Sequence, residues 1–105
     1  MIFIETTAFT RRLQTILPDD EYSRLQSSLI RRPDLGDIIT GSGGLRKLRW
    51  QSSGRGKRGG ARVIYYWAVT RDTILMLGIY SKNEKVDLTV DEIKIMKRVI
   101  EVEFQ

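Results

Sequence analysis

The stretch ARVIYYWAVTRDTILMLGIY, Ala61 to Tyr80, decides the fold. Two runs dense in β-branched and aromatic residues, Ala61–Val69 and Thr73–Tyr80, flank a tight connection around Arg71–Asp72. Such residues suit a pleated, buried surface, so the runs read as adjacent antiparallel strands near the centre of a sheet.

Working back from this pair, Leu45–Trp50 alternates: Leu48 and Trp50 point one way, Lys47 and Arg49 the other. Arg46 falls on the apolar side, which is awkward unless that end of the strand is open to solvent. Gln51 to Gly60, rich in glycine and serine, reads as the tip of a hairpin, and Asp34 to Gly44 as a loop carrying Ile38–Ile39.

Two helices precede that loop. Thr6 or Thr7 caps the first, in which Phe9, Leu13, Ile16 and Leu17 fall at helical spacing. Pro18 ends that run and opens the second helix. There Asp19, Asp20 and Glu21 meet the positive end of the dipole, and Arg31 and Arg32 the negative end. Tyr22, Leu25 and Leu29 form its apolar stripe, and Pro33 stops it. Met1–Glu5 is a short apolar run, a first strand. At the far end Thr89-Val-Asp-Glu92 fits a capping box, with Leu88 and Ile93 as its hydrophobic staple. Ile93, Met96 and Ile100 give that helix a core face, while Ile95, Val99 and Val102 widen the apolar surface beyond one stripe. The order is β-α-α-β-β-β-α: one α+β domain over residues 1–105, an antiparallel sheet with helices packed on one face.

Composition narrows the chemistry. The chain has neither histidine nor cysteine, which removes His-dependent triads, thiolate nucleophiles, disulfides and nearly all zinc sites. No metal and no cofactor is expected. No apolar run approaches the roughly 20 residues that cross a bilayer. MIFIETT lacks the basic and long apolar regions of a signal peptide, so a cytoplasmic protein without a membrane partner is expected.

Net charge is +5, and its distribution says more than its sum. Between Asp37 and Asp72 there is no carboxylate, yet Arg46, Lys47, Arg49, Arg55, Lys57, Arg58, Arg62 and Arg71 all fall there. Cations without a local counter-charge repel one another, a cost usually met by a polyanion. Lys47, Arg49 and Arg62 share one side of neighbouring strands with no nearby acid in sequence, which points to an RNA- or DNA-facing surface. Tyr66 shares parity with Arg62 and is placed to stack on an extruded base. A phosphate-binding P-loop is excluded, because Gly56-Lys57 is followed by Arg58 and has Gln51 where glycine is needed.

LRKLRW, GKRGGARVIYYW and IYSKNEKVDLT together resemble the RelE/HigB superfamily of type II toxins, nearest its HigB-like branch. The resemblance runs over essentially the whole chain. It implies a RelE-like fold and a ribosome-dependent endoribonuclease that cuts mRNA in the A site. It also implies a HigA-like antitoxin with a helix-turn-helix domain, through which alone operator DNA would be reached. Carried over, the paired basic residues of the second long strand fall on Lys47 and Arg49, with Arg46 as the register alternative. The arginine opening the next strand falls on Arg62, and the lysine after the last strand on Lys82. Asn83 stands where RelE has a further arginine, and Asp87-Leu88 where it has a catalytic tyrosine. A tyrosine base is therefore not implied, although Tyr80 or Tyr66 can approach from the sheet.

The resulting expectation is a metal-independent mRNA interferase. The 2′-OH attacks the adjacent phosphate, Arg49 and Arg62 stabilise the charge that develops, and Lys47 or Lys82 exchanges protons. Arg46, Arg55, Lys57, Arg58, Tyr66, Tyr80 and Lys85 would bind RNA or ribosome. Two other classes share the same residues: a non-catalytic nucleic-acid-binding module, and a domain that docks an acidic protein.

Overall fold

A computed structural model describes residues 1–51, 60–85 and 87–104. Its elements are β1 (Ile2–Glu5), α1 (Thr7–Ile16), α2 (Asp19–Arg31), β2 (Asp37–Ile38), β3 (Leu45–Trp50), β4 (Ala61–Ala68), β5 (Thr73–Ser81) and α3 (Val90–Phe104). A 3₁₀ turn, Val69–Arg71, and Asp72 in the left-handed region (φ 49°) join β4 to β5. Arg55, Lys57 and Arg58 lie outside the described residues.

The five strands run in the order β1-β5-β4-β3-β2. β4 and β5 sit at the centre and pair antiparallel, as the Ala61–Tyr80 stretch implies. Two pairings go beyond the sequence reading. β1 lies parallel to β5, with Ile2 opposite Thr73 and Glu5 opposite Met76, so the sheet is mixed. Part of the expected 34–44 loop forms β2, with Asp37 opposite Lys47 and Ile38 opposite Arg46. The register of β4 on β5 also shifts: Ile64 faces Gly78 but Tyr65 faces Met76, leaving Leu77 as the extra residue of a bulge. A Cβ on Gly78 would come within 2.8 Å of the Met96 Cε on α3, so the glycine leaves room for the tip of that side chain.

Local signals explain where the helices begin. Thr6 caps α1, its hydroxyl accepting from the Phe9 amide at 3.1 Å. The capping box of α3 forms in both directions: the Glu92 amide donates to Thr89 Oγ1 at 3.1 Å, and the Thr89 amide donates to Glu92 Oε1 at 2.8 Å. Pro18 sits at the N-cap of α2 ahead of Asp19, Asp20 and Glu21.

Strand parity divides the core in two. Phe9, Leu17, Leu25 and Leu29 of the paired α1–α2 segment pack on Leu48, Val63, Tyr65, Ile74 and Met76. The opposite parity, Leu45, Ile64, Leu75, Leu77 and Tyr80, gathers with Ile100 and with Ile93, Met96 and Val99 of α3. The paired helices thus share one face of the sheet, while α3 lies against the side chains of the other. That second face carries the cations.

Candidate functional site

β3 and β4 pair so that Arg49 stands opposite Arg62, and β4 and β5 so that Arg62 stands opposite Tyr80. Paired residues share a face, so Arg49, Arg62 and Tyr80 form a row across three strands, with Lys47 two positions along β3. This row lies at the end of the sheet where β5 runs out into the connection to α3. That connection adds Lys82, Lys85 and Asp87. Lys47, Arg49, Arg62, Lys82, Lys85 and Asp87 line one open cleft of ≈ 260 Å³. The cleft is smaller than the roughly 300–1,000 Å³ of small-molecule pockets, which fits an anionic group on an extended chain better than an enclosed metabolite.

The sequence-based expectation that no acid meets these cations is corrected by Asp87. Its carboxylate accepts a hydrogen bond from the Lys47 ammonium, forming an ion pair across forty residues of sequence. That bond, followed by the charges of Lys47 and Arg49, holds the Asp87 carboxyl below the usual carboxylate range. The same strap carries two further pairs. Lys85 donates to Glu92 in the first turn of α3, and Arg12 of α1 donates to Glu84. Both carboxyls are lowered, by Lys85 and the Thr89 amide for Glu92, and by Arg12 and the Ser81 amide for Glu84. The connection is thus tied by charge at Glu84, Lys85 and Asp87, while Leu88 packs on the core under α3.

Tyr80 stands opposite Arg62, behind the residues that line the cleft. Only 4% of its surface is exposed, and its hydroxyl is buried with no hydrogen-bond partner among the described residues. The Lys85 ammonium lies 5.5 Å from its ring centroid. Burial, and then the Asp87 carboxylate, raise the pKa of this phenol, against the opposing pull of Arg62. At neutral pH it is therefore a hydrogen-bond donor and not a base.

The other expected residues lie elsewhere. Arg46 points to the opposite face, where its guanidinium donates to the carbonyls of Gly36 at 2.8 Å and Asp34 at 3.3 Å. Its awkward parity is thus resolved by loop carbonyls at the sheet edge. Tyr66 does share the face of Arg62, but four residues along a strand is about 13 Å. It packs against Phe104 of α3 at 5.7 Å between ring centroids and joins the second core cluster. Asp87 is the cleft residue that sequence reasoning missed. Its only sequence signal was the place where the resemblance calls for a tyrosine. Among the described residues no group of three or more carboxylates converges as a metal site would require.

No protein-family model matches the chain. Its fold is similar to that of a chain of the intact E. coli RelBE toxin–antitoxin complex, with a TM-score of 0.56 and 11% identity, covering 74% of this chain and 92% of that one. A doubly substituted E. coli toxin RelE in the free state matches with a TM-score of 0.61 and 13% identity, over 93% and 96%. The isolated E. coli RelE toxin matches at 0.56 and 12%, over 93% and 97%. At such identities the likeness is one of architecture, and the chain has a RelE-like α+β fold.

Proposed function

We propose that this chain is the toxin of a type II toxin–antitoxin pair, of the HigB-like branch, and that it cuts mRNA on the ribosome. The observation that carries the proposal is the cleft itself. On a RelE-like sheet, β3, β4 and the β5–α3 connection converge five cations around a single carboxylate.

In this reading the cleft binds the phosphodiester between two unpaired nucleotides. The 2′-oxygen attacks phosphorus, the bond to the 5′-oxygen breaks, and the products are a 2′,3′-cyclic phosphate and a 5′-hydroxyl. Arg49 and Arg62 are fork donors to the phosphoryl oxygens as negative charge accumulates. Asp87 is ionised at neutral pH and can take the proton from the 2′-hydroxyl, while a lysine ammonium, Lys47 or Lys82, protonates the departing 5′-oxygen. The Tyr80 hydroxyl, beside Arg62 and without a partner among the described residues, is a further donor. The ribosome holds the strand in line, which allows so spare a set of groups to suffice.

A HigA-like antitoxin with a helix-turn-helix domain is the proposed protein partner and the only link to operator DNA. Translating ribosomes place the activity in the cytoplasm. Among the described residues no helix is long and apolar enough to cross a membrane.

Mapping mRNA 5′ ends after brief induction tests this reading. New ends bearing 5′-hydroxyls within translated frames are expected, and they disappear when translation is blocked beforehand. Ribosome association without new 5′ ends would instead identify a non-catalytic binding module.

A further inference from the structure

The cationic cleft has a neighbour of opposite character. Asp37, Ile38, Ile39 and Thr40 of the β2 edge, Leu88 and Ile93 at the start of α3, and the pair Lys47–Asp87 enclose a second cavity of ≈ 410 Å³. Lys47 and Asp87 line both cavities, so this ion pair is the wall between them. The β2–β3 pairing places Asp37 opposite Lys47, which puts a second carboxylate at the rim.

We infer that this apolar cavity receives an unpaired nucleobase of the RNA strand whose phosphate occupies the adjoining cationic cleft. The inference rests on the nucleic-acid reading of that cleft and adds a base-binding site to it. Three observations favour this occupant. The volume lies within the roughly 300–1,000 Å³ that accommodates small planar ligands. The carboxylates of Asp37 and Asp87 at the rim disfavour a second phosphate but accept hydrogen bonds from the N–H groups of a base edge. Continuity through the shared Lys47–Asp87 wall brings the base pocket next to the sugar–phosphate site, as a single strand requires. Aliphatic side chains against the faces of the heterocycle provide the contact, and Asp37 and Thr40 provide the edge.

The test uses the whole chain with isotope-labelled isoleucine methyl groups and arginine side chains. It is titrated with 2′-O-methyl hexacytidylate, which has no 2′-hydroxyl to react, and with an abasic hexamer of the same backbone. A base in the pocket produces ring-current shifts at the Ile39 and Ile93 methyls with the first ligand and none with the second. The Arg49 and Arg62 signals move with both. Ile39→Ala, on the face that Leu45 shares with α3 and shown by circular dichroism to be folded, should weaken hexacytidylate roughly 5-fold or more and leave the abasic hexamer unaffected. Silent methyls beside responsive arginines would overturn the base pocket while sparing the cleft, and would fit a pocket reserved for an apolar side chain of a protein partner. Equal weakening of both ligands by Ile39→Ala would overturn it too. Silence of the arginines with both ligands would overturn this inference, and the nucleic-acid reading would then stand or fall on the 5′-end mapping with ribosomes present.

Discussion

The two faces of the sheet are finished to different standards. Under α1 and α2 three aromatics have partners for their polar tips. The Tyr65 hydroxyl donates to the Pro33 carbonyl at 2.7 Å and accepts from the Gly36 amide at 2.8 Å. Trp50 Nε1 donates to Glu21 at 3.2 Å, and the Tyr22 hydroxyl donates to Glu5 at 2.7 Å. Under α3 the cover is apolar over Ile64, Leu75 and Leu77, and then it stops. Beyond its first turn lie a row of cations and the Tyr80 hydroxyl, buried with no partner among the described residues. Folding alone favours the first arrangement, because a buried group without a partner is destabilising. The second face makes sense as a surface completed by a ligand.

The contrast can be tested from both sides. The largest effect is expected at Arg62. In the proposed mechanism Arg62→Ala removes a transition-state contact, lowering cleavage by about 10²–10³-fold. Circular dichroism and thermal melting should show a folded protein. Full activity in the variant would move the chemistry away from this row.

Next come the two tyrosines, one on each face. Tyr65→Phe leaves the Pro33 carbonyl and Gly36 amide without their shared partner, and should destabilise the fold by about 2–3 kcal/mol in a denaturant titration. Tyr80→Phe removes a hydroxyl that has no partner, so stability should be unchanged or slightly raised. Cleavage should nevertheless fall, by up to about 10-fold for one lost hydrogen bond. If Tyr80→Phe destabilises as much as Tyr65→Phe, the two faces do not differ in the way described.

The smallest effect concerns pH. Glu84, Asp87 and Glu92 all have folded-state pKa values below the ordinary carboxylate range. Their ion pairs therefore contribute fully above the unfolded-state values of about 4, and are lost as pH falls through the lower folded-state values. Amide exchange in the 82–92 connection should be flat from about pH 5 to 8, after correction for the intrinsic rate, and should rise below about pH 4. Exchange in α1 and α2 should not share that rise. A transition in the strap near neutral pH would mean that other groups control it.

Much of this arrangement was legible in the sequence, wherever its cause is local. The capping box at Thr89 and Glu92, the Thr6 cap and the central hairpin of β4 and β5 each depend on residues close together in the chain. Alternation placed Lys47 and Arg49 together, and the same parity flagged Arg46 as anomalous. Pairing between distant segments leaves no such trace. Nothing in Ile2–Glu5 says that its partner is β5 or that the two run parallel. The inference of an acid-free basic face failed for a related reason. It counted charges along an interval, whereas Asp87 reaches Lys47 through the return of the chain after β5. Tyr66 shows a further limit: parity gives the face, but position along the strand decides between the core under α3 and the open end.

The parallel pairing of β1 with β5 has a consequence for biosynthesis. Thr6 reaches back to the Leu77 carbonyl across a separation of 71 residues. At the usual elongation rate of about 5–20 residues per second, β1 leaves the exit tunnel roughly 4–14 s before the strand that will hold it. During that interval its isoleucines have no sheet to join, and the central hairpin that organises both faces has not yet been made. The nascent chain thus passes most of its synthesis without an assembled cleft. On the reading proposed above, a toxin that acts on translating ribosomes would in this way spare the one that is making it.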